Sequence, residues 1–515
     1  MNAERLLAHY HRIVDAPDAV ARLRRFILDL AMRGKLVPQD SNDEPAAELL
    51  KRIAKGKLDQ ADLPKGWRRA PVGALLDFQY GKGLKASERM DEGPVPVFGS
   101  NGVVGFTETP LTVHPSIIVG RKGSAGAVNL CDGPSWTTDV AYFVEAPSFF
   151  TIRFLLNALA ALELDKLGKG VKPGLSRSDA YEQILCAPPL AEQHRIVAKV
   201  DELMALCDRL EAAQAEREAT RDRLAAASLA RLSALDPDTF AADARFALDA
   251  LPTLTTRPDQ IKQLQHTILD LAVRGKLVPQ DSNDEPAAMG KLGHAATTFD
   301  GPFALPHGWH WSQFGAVAMF ENGDRGKNYP NRDEYVEKGV AWINTGHIQP
   351  DGSLSVATMN YISREKYESL GGGKTRPGDL LYCLRGATFG KTAFVEPFTE
   401  GAIASSLMIV RPGPHLDRRF TYFYLVSPFG RSQLMRFDNG TAQPNLSSSN
   451  VKKYYVPVPP LAEQHRIVTK IDELMALCDR LEAGLATAAD TRGRLLDALL
   501  AEALAPTKEN LEAAQ

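Results

Sequence analysis

The sequence predicts a mixed α/β (α+β) fold, in which two α/β domains are separated by two long antiparallel coiled-coil helices with internal pseudo-two-fold symmetry. The first observation is that the 25 residues of Pro188–Ala212 recur at Pro459–Ala483 with two differences. The second is that the 21 residues of Ile27–Ala47 recur at Ile268–Ala288 with one difference. The third is that the segments between these copies are mostly not repeated. The chain is therefore a duplicated half that carries two unlike inserts.

The repeats divide the chain into six segments. These are an N-terminal helical arm at 1–62, a first domain at 63–187, a repeated long helix at 188–235, a repeated arm with a linker at 236–304, a second domain at 305–458 and a repeated long helix at 459–515. The repeat offset is 241 residues in the arms and 271 in the helices, so the second insert is about 30 residues longer. The repeated arms and helices, here called the frames, are nearly identical around unlike inserts, which suggests that the frames meet one common partner twice. The alternative is a recent duplication without functional symmetry.

The long repeated segments are predicted to be helices. Each begins after paired prolines and carries an early glutamate, which is typical of a helix start. Apolar residues then follow a heptad seam, which weakens at 214–223 and is interrupted at Arg492. The seam residues that we expect to meet a paired helix or a docked partner are Ile196, Val200, Leu203 and Leu210 in the first copy, and Ile467, Ile471, Leu474 and Leu481 in the second. Antiparallel pairing is one arrangement, and packing of each helix on its own insert is the other.

Each insert is predicted to be a mixed α/β domain. Short apolar runs such as SIIVG and VAYFV, punctuated by glycine and proline turns, indicate strands. Longer apolar stretches at 149–167 and 418–437 indicate helices. Both inserts open with Leu-Pro-x-Gly-Trp, and we expect Trp67 and Trp309 to be core anchors rather than binding residues.

Composition and charge limit the class of protein. A hydrophobic content of 44% in 515 residues allows sizeable cores. No apolar run is long enough for a membrane span. The five cysteines form no Cys-x-x-Cys pair, so no zinc site or disulfide framework is indicated, and a reducing cytoplasm is expected. The net charge is −3, but residues 64–187 carry +1 and residues 306–458 carry +4. Positive charge thus lies in the unrepeated inserts.

Matched polar turns mark the candidate binding residues. The turns at 120–126 and 384–391 occupy similar places in the two inserts, as do those at 170–179 and 440–450. Glycine brings the backbone close to a partner, and the polar side chains can hydrogen-bond phosphates or base edges. The candidates in these turns are Arg121, Lys122, Ser124, Lys172 and Arg177 in the first insert, and Arg385, Thr388, Lys391, Gln443, Asn445 and Ser447 in the second. Ordinary surface turns are the alternative interpretation.

Motifs for catalysis are missing from the sequence. GRKGSAG lacks the spacing of a P-loop, and no Gly-x-Gly-x-x-Gly follows a strand. His-Glu-x-x-His, Gly-x-Ser-x-Gly and the kinase motifs are absent, as is the Asn-Pro-Pro-aromatic tetrad of N-methyltransferases. We therefore expect no catalytic residue, no metal ligand set and no cofactor in this chain.

The motif set resembles the specificity subunit of Type I restriction–modification systems over nearly the whole chain. PPLAEQHRIV occurs twice, ILDLAxxGKLVPQD occurs twice, and the inserts differ. VFGSNGVVGF and WTTDVAYFV look like one class of target recognition domain, whereas WINTGHI and QPNLS look like another. The resemblance adds further candidate DNA contacts at Lys82, Ser100, Asn101, Thr138, Arg325, Lys327, Asn344 and Thr345.

The resemblance implies a function for each part. Each insert would read one half of a bipartite, asymmetric site in double-stranded DNA, and the helices would set the gap between the halves. The helices would also dock two modification subunits, which carry S-adenosylmethionine and methylate adenine at N6. Up to two restriction subunits would add translocation and cleavage driven by ATP with Mg²⁺. Arm residues 1–50 would pack beside the C-terminal helix.

Two other functions remain open at this point. One is a single-chain DNA methyltransferase or nuclease, and the missing motifs argue against it. The other is a structural coiled-coil adaptor without DNA contact, and the paired basic loops argue against that. The interpretation that fits the residues best is a non-catalytic DNA-recognition subunit whose catalytic sites lie in partner chains.

Overall fold

The computed structural model shows a mixed α/β chain built as two compact units. It describes residues 10–46, 63–170, 173–233, 246, 250, 254–287, 301–385, 389–437 and 446–504. Unit 1 comprises residues 1–218 with 488–515, and unit 2 comprises residues 219–487. Each unit holds one insert, one arm, the first part of one long helix and the last part of the other. The predicted fold class is confirmed, and the duplication is built into both units.

Two helices of 44 residues carry most of the helical content. The central helix is Leu190–Ser233 and the C-terminal helix is Leu461–Leu504. Both begin directly after a Pro-Pro pair, because the first turn of a helix does not need the N–H that proline lacks. At 1.5 Å per residue, each helix is about 66 Å long.

Unit 1 contains three small sheets. Its strands are β1 (Arg68–Pro71), β2 (Gln79–Tyr80), β3 (Val95–Phe98), β4 (Val103–Thr107), β5 (Ser116–Gly120), β6 (Val128–Cys131), β7 (Trp136–Thr137), β8 (Ala141–Glu145) and β9 (Ile184–Ala187). The sheet orders are β1-β9, β2-β8-β5-β6 and β4-β3-β7, and only β3 and β7 pair in parallel. The shorter helices are Tyr10–Ile13, the first arm helix Ala19–Met32, Val72–Leu75, Ile152–Ala161 and Arg177–Tyr181.

The apolar run SIIVG forms the centre of the unit 1 core. Strand β5 is buried at every position because it lies between β6 and β8 and is covered on its faces. Ile117, Phe154 and Trp67 are fully buried in the same apolar cluster. The expectation that Trp67 is a core anchor therefore agrees with its position.

Unit 2 repeats this plan with additional strands. They are β10 (His310–Gln313), β11 (Ala318–Asn322), β12 (Tyr335–Val336), β13 (Val340–Ile343), β14 (Asn360–Ile362), β15 (Lys374–Thr375), β16 (Leu380–Cys383), β17 (Thr392–Phe394), β18 (Gly401–Ile403), β19 (Leu407–Pro412) and β20 (Tyr455–Val458). The sheet orders are β10-β20, β11-β19-β16-β17 and β12-β14-β13-β18-β15. The shorter helices are the second arm helix Pro258–Val273, Phe314–Val317, Arg364–Ser369, Arg418–Val426, Pro428–Met435 and Ser448–Val451.

The extra length of the second insert enlarges one sheet. Strand β13 pairs in parallel with β18, as β3 pairs with β7 in unit 1. Strand β14 pairs antiparallel with β13, as β4 does with β3, and two further strands, β12 and β15, extend that sheet from three strands to five. The helix Arg364–Ser369 lies in the same added stretch. The two-stranded and four-stranded sheets are kept, so the added residues change only one side of the insert.

The heptad seams pack inside the units to which they belong. Ile196 and Val200 are buried in a cluster that includes Ile27 of the first arm helix, with Leu203 and Leu210 packed against it. In unit 2 the buried Ile467 and Ile471 lie in one cluster with the second arm helix, and Leu474 and Leu481 pack against it. These eight residues are core residues, so any contact of these helices with a separate chain must use the exposed face.

The predicted seam widens near the end of the C-terminal helix. Leu499 of the seam is buried and Leu495 is half-buried, Arg492 is exposed where the sequence interrupts the seam, and Gly493, Leu496 and Leu500 are buried beside them. The reason is the first arm helix, whose Phe26 and Leu30 pack on Leu496 and Leu500. The contact surface is thus set by the arm rather than by a uniform coiled coil.

The first arm helix reveals the direction of the long helices in unit 1. Val14 O accepts from Gln214 Nε2 at 2.7 Å, and further along the arm Arg24 Nη2 donates to Asp208 Oδ1 at 2.5 Å. As the residue number rises along the arm, the residue number of its partner on the central helix therefore falls. Along the same arm, Arg22 Nη1 donates to Gly493 O at 3.1 Å and Lys35 Nζ donates to Leu504 O at 2.6 Å. The residue number of the partner on the C-terminal helix therefore rises with that of the arm. The two segments in unit 1 therefore run antiparallel, with the N-terminal arm beside the C-terminal helix.

Polar contacts with the arms replace the weak part of the first seam. Arg217 forms an ion pair with Asp15 in unit 1. In unit 2, Asp222 accepts hydrogen bonds from Arg257 Nη2 at 2.7 Å and from Gln260 Nε2 at 2.9 Å. The departure from the heptad at 214–223 thus reflects hydrogen bonding to the two arms, which apolar side chains could not provide.

The repeated EQHR residues join each insert to its helix and arm. In unit 1, Glu192 accepts from Trp67 Nε1 at 2.9 Å and from Gln39 Nε2 at 2.7 Å. Gln193 accepts from Thr151 N at 2.8 Å and donates to Phe149 O at 2.8 Å, which ties the helix to the insert. These hydrogen bonds, here called the joint, connect the insert, the long helix and the arm. They also satisfy polar groups that burial would otherwise leave without partners.

The same joint exists in unit 2, with nearly the same hydrogen-bond distances. Glu463 accepts from Trp309 Nε1 at 2.9 Å and from Gln280 Nε2 at 2.7 Å. Gln464 accepts from Asp417 N at 2.7 Å and donates to His415 O at 2.9 Å. The repeated arginine follows suit: Arg195 pairs with Asp43, and Arg466 with Asp284, at 2.6 and 2.7 Å. The repeated sequences thus encode one joint that is used twice.

Candidate nucleic-acid interface

Five loops of unit 1 meet on one face of the insert. Backbone hydrogen bonds join them: Gly123 N to Pro173 O, Leu175 N to Arg121 O and Lys82 N to Thr137 O, at 2.9 to 3.0 Å. The bond from Thr138 N to Phe98 O, at 3.0 Å, brings in the hairpin between β3 and β4. The loops are 81–83, 99–102, 121–126, 138–140 and 173–177. They contain every described candidate that the sequence marks in this insert.

Two glycines allow these loops to cross at short range. A Cβ atom on Gly120 would lie 2.1 Å from Ser124 O and 2.4 Å from Ser100 O. A Cβ atom on Gly81 would lie 2.1 Å from Thr138 O. Because no real Cβ approaches backbone oxygen so closely, the face requires glycine at both positions.

Arg121 and Arg177 flank one aromatic ring on this face. The guanidinium carbon of Arg121 lies 5.3 Å from the ring centroid of Tyr80, and that of Arg177 lies 5.2 Å from the same centroid. Arg121 also lies 6.0 Å from the ring of Tyr142, whose phenol pKa is raised by burial. These distances fall within the range of cation–π attraction. The two arginines and Tyr80 form a group that DNA phosphates or base edges can meet.

The other candidates of unit 1 differ in how far they reach solvent. Lys82, Asn101, Lys122 and Ser124 are exposed, and Ser100 is half-buried. Thr138 is 3% exposed and its hydroxyl donates to Phe98 O at 2.9 Å. The prediction that Thr138 contacts DNA with its side chain is therefore replaced by a bracing role, because its hydroxyl already joins two loops.

Unit 2 builds a corresponding face from its own loops. Leu446 N bonds Leu384 O at 3.0 Å, and Leu384 N bonds Ser406 O at 2.9 Å. A Cβ atom on Gly323 would lie 2.5 Å from Ala404 O, as its counterpart Gly81 meets Thr138 in unit 1. Asn322, directly before Gly323, donates from Nδ2 to Ser448 Oγ at 3.4 Å. The loops at 323–327, 344–347, 384–385 with 389–391, 404–406 and 446–448 thus converge as in unit 1.

Cations and polar groups of the unit 2 face occupy these loops. Arg325 and Lys327 are exposed, and Arg325 makes a long 3.5 Å contact with Ser405 O. Arg385 is half-buried and its Nε is buried without a hydrogen-bond partner. Lys391 and Thr345 are half-buried. The basic groups of this face therefore come from two separate loops.

Two candidates of unit 2 serve as caps of local structure. Asn344 Oδ1 accepts from Gly346 N at 2.9 Å, and Ser447 Oγ accepts from Asn450 N at 3.2 Å at a helix start. His347 is buried, which lowers its pKa, and its neutral Nδ1 accepts from Asn344 N at 3.1 Å. These groups stabilise the loops, and a DNA contact would have to share them.

Several sequence candidates lie outside the described residues, and one contact was missed. The structure does not describe Lys172, Thr388, Gln443 and Asn445, so they stay predictions. Tyr80 was not among the candidates although both arginines contact it. An exposed aromatic directly before a glycine of a basic loop, here Tyr80-Gly81-Lys82, is the signal that could have found it.

The described residues contain neither a cluster of metal ligands nor a helix able to span a membrane. Within them, no group of three or more histidine, cysteine, aspartate or glutamate side chains is placed to hold a metal ion. No helix in the described parts of the chain has the length and apolar character that crossing a membrane requires. The free cysteines are Cys131, Cys186, Cys207, Cys383 and Cys478.

Three similar proteins are all specificity subunits of Type I restriction enzymes. The specificity subunit of the Type I restriction enzyme EcoAI from Escherichia coli is 26% identical over 573 aligned residues, covering 93% of each chain. The EcoEI specificity subunit is also 26% identical and covers 94% of each chain, and the EcoBI subunit is 24% identical over 90% of each. This chain therefore spans nearly the full length of these relatives.

Two solved structures and one family model also match this chain. A chain from a structure of a Type I restriction–modification system is 20% identical, covers 87% of this chain and 99% of its own length, and superposes with a TM-score of 0.49. The HsdS subunit of Thermoanaerobacter tengcongensis is 19% identical, with a TM-score of 0.39 over 86% of this chain and 97% of its own. The model of the Type I restriction modification DNA specificity domain matches residues 64–220 and 306–489, which is more than half of the chain. The chain thus belongs to the Type I restriction modification DNA specificity family.

Proposed function

We propose that this chain is the non-catalytic DNA sequence-specificity subunit of a Type I restriction–modification complex. Each insert reads one half of a bipartite, asymmetric site in double-stranded DNA. One observation carries this proposal: two joints with the same hydrogen bonds, at Glu192 and at Glu463, present loop faces of different chemistry. Two equivalent joints that carry chemically different loop faces suit a DNA site whose two halves differ in sequence.

The charge of the two faces supports a DNA partner. Arg121 and Arg177 have no ion-pair partner among the described residues, and the inserts carry net positive charge while the frames carry the negative charge. Lysine and arginine that approach phosphates release counterions, which supplies much of the affinity for DNA. The overall charge of −3 is compatible with this role if partner subunits complete a positive channel.

The long helices would set the gap between the half-sites and dock the catalytic subunits. Two modification subunits would bring S-adenosylmethionine and methylate adenine at N6. Up to two restriction subunits would bring ATP and Mg²⁺ for translocation and cleavage. The chain would act in the cytoplasm, where these partners meet DNA. The relatives are specificity subunits, so a single-chain methyltransferase, a nuclease and a purely structural adaptor are not favoured.

A repeated exposed strip on the long helices fits two copies of one partner. We define it by six of the positions that are identical and exposed in both copies, namely Ala191, His194, Glu202, Ala205, Leu206 and Arg209 on the central helix and Ala462, His465, Glu473, Ala476, Leu477 and Arg480 on the C-terminal helix. Leu206 is 44% exposed and Leu477 is 38% exposed. Since the seam residues hold the fold together, a second function must explain why the exposed strip is also repeated.

Exchange of one insert tests the DNA-reading proposal. Residues 63–187 are replaced by the corresponding insert of a relative, and the chain is expressed with its modification and restriction partners. Sequencing that detects methylated adenine in genomic DNA should show a new first half-site, with the second half-site and its methylation retained. A change in both half-sites would contradict separate reading by the two inserts.

Aspartate on the exposed strip tests partner docking. Leu206→Asp and Leu477→Asp should each remove one modification subunit, and the double variant should remove both, because a charge would be buried against an apolar contact. Native mass spectrometry of the co-expressed complex counts the subunits. Leu224→Asp, at an exposed leucine of the central helix outside the repeat, is the control. Full assembly of the double variant would exclude the strip as the docking surface.

A further inference from the structure

One aromatic side chain contacts both arginines of the unit 1 face. Tyr80 ends β2 and is 50% exposed, although it lies between two charged groups. The guanidinium carbons of Arg121 and Arg177 lie 5.3 and 5.2 Å from its ring centroid. Each arginine also has a second ring, Tyr142 at 6.0 Å for Arg121 and Tyr181 at 5.7 Å for Arg177. Each guanidinium group therefore lies within cation–π distance of two tyrosine rings.

The two arginines are held by rings rather than by acids. Among the described residues neither forms an ion pair, and Arg121 Nε is buried without a hydrogen-bond partner. Arg177 makes only a long contact, from Nη1 to Phe78 O at 3.5 Å. Cation–π attraction to a ring holds a guanidinium without a hydrogen bond, so its N–H groups stay available for other acceptors. The rings thus order the two side chains without occupying the groups that would contact DNA.

The scaffold itself does not require an aromatic residue at position 80. The counterpart in unit 2 is Asn322, which also ends its strand directly before a glycine. Asn322 donates to Ser448 Oγ at 3.4 Å, and no arginine stacks there among the described residues. Since the same joint and sheet form with asparagine at this site, the tyrosine belongs to the chemistry of the unit 1 face.

We propose that Tyr80 is a positioning residue that holds Arg121 and Arg177 as a fixed pair for reading base edges in the half-site recognised by unit 1. This inference rests on the proposed function and deepens it by naming what orders the two arginines. A long arginine side chain loses rotamer freedom when it binds, and a ring that orders it beforehand lowers that cost. Guanine N7 and O6 are the edges that a guanidinium matches best, because they accept two hydrogen bonds in one plane.

The first measurement is the methylated sequence motif. The full chain is co-expressed with its modification subunit as wild type, Tyr80→Leu, Tyr80→Phe and Ile184→Ala, and methylated adenine is mapped across the genome. Tyr80→Leu should relax a guanine position of the first half-site and leave the second unchanged. Tyr80→Phe keeps the ring and should restore the wild-type motif. Ile184, in β9 and equally exposed at 50%, controls for loss of an exposed side chain outside the five loops.

The second measurement is the affinity of each assembled complex for a duplex that carries the wild-type motif. Tyr80→Leu should weaken binding about three- to tenfold, because two exposed cation–π contacts are lost. A merely structural role predicts a different result: the melting temperature of the Leu variant would fall while the motif and its base preferences stayed unchanged. That result would overturn the inference.

Arginine variants separate failure of the inference from failure of the proposed function. Arg121→Ala and Arg177→Ala are assayed beside the tyrosine variants. If they relax the first half-site and Tyr80→Leu does not, the positioning role fails and the recognition face remains. If neither arginine variant nor Tyr80→Leu changes either half-site, the proposed DNA-reading role of the unit 1 face fails as well.

Discussion

The two inserts differ where they face outward and agree where they join the frame. In unit 1 the strand before the first glycine loop ends in Tyr80, whose ring lies within cation–π distance of Arg121 and Arg177. In unit 2 the corresponding strand ends in Asn322, which is hydrogen-bonded to Ser448. The sheet containing the parallel pair has three strands in unit 1 and five in unit 2. The comparison teaches that the scaffold constrains the places of the loops and leaves their side chains free to vary.

At the joint, the two units agree to about a tenth of an ångström. The bond from tryptophan to glutamate is 2.9 Å in both, and the bond from glutamine to the same glutamate is 2.7 Å in both. A buried carboxylate needs these donors, because an unpaired one would carry a large desolvation cost. This explains why the frame sequence is nearly identical in both copies while the inserts are not.

The largest expected effect comes from removing a joint tryptophan. Trp67→Ala and Trp309→Ala should each destabilise the unit concerned by about 3–5 kcal/mol, because a buried indole and its bond to glutamate are lost. Urea unfolding gives the free energy, and hydrogen exchange shows which unit opens. If one of these variants left its own unit as stable as in the wild type, the two joints would not be equivalent in their contribution to stability.

A smaller effect is expected from removing one arginine of each face. Arg121→Ala and Arg385→Ala should each weaken specific binding of the assembled complex by about 1–3 kcal/mol if the arginine contacts a base with two hydrogen bonds. Each variant should relax only the half-site of its own unit. Arg153→Ala, whose guanidinium lies 3.4 Å from Asp132 outside the face, is the control. Unchanged affinity with an intact fold would assign that arginine to the structure of its loop.

The smallest expected effect is the pH dependence of the two joints. Burial raises the pKa of Glu192 and of Glu463, partly offset by hydrogen bonds from tryptophan and glutamine. Above the ordinary glutamate pKa the unfolded chain ionises first, so this contribution to the unfolding free energy is present at low pH and is lost as pH rises through the folded pKa. The free energy of wild type minus that of Glu192→Gln should therefore fall with increasing pH.

The matched variant Glu463→Gln sharpens this comparison. Because both carboxylates have the same two donors, the two variants should show the same sign and a similar shape between about pH 4 and 7. Unfolding free energies measured by denaturant titration at several pH values give both curves. Opposite slopes in the two variants would show that the joints are electrostatically different despite their shared geometry.

Local patterns in the sequence were sufficient for the helices and strands of the frame. The Pro-Pro pairs gave the starts at Leu190 and Leu461 to within two residues, and SIIVG gave the central strand β5. Beyond Arg492 the seam residues Leu495 and Leu499 do pack, but Leu496 and Leu500 are buried as well, because the first arm helix covers a wider stripe there. A heptad pattern assumes one kind of neighbour along the whole helix, and this helix has several.

The candidate site could be predicted by loop but not by side chain. Arg121 and Arg177 were predicted from their glycine-rich turns, whereas Tyr80 was missed because its contacts are with residues about 40 and 100 positions away. Thr138 was predicted to contact DNA, yet its hydroxyl bonds Phe98 O. Whether a polar side chain faces solvent or completes a neighbouring loop depends on the crossing of strands, which residue type alone does not reveal.

The amino-acid sequence on its own determined the duplication, the long helices, the two unlike inserts and the loops that carry their basic residues. These features follow from repeat spacing, periodicity and turn residues, which act over short stretches of chain. Only the tertiary structure decided that five loops share a face, that the arm lies beside the C-terminal helix, and that one tyrosine joins two arginines. Such contacts arise from sheet order and from the pairing of distant strands, because proximity in space between distant residues is not a local property of the chain.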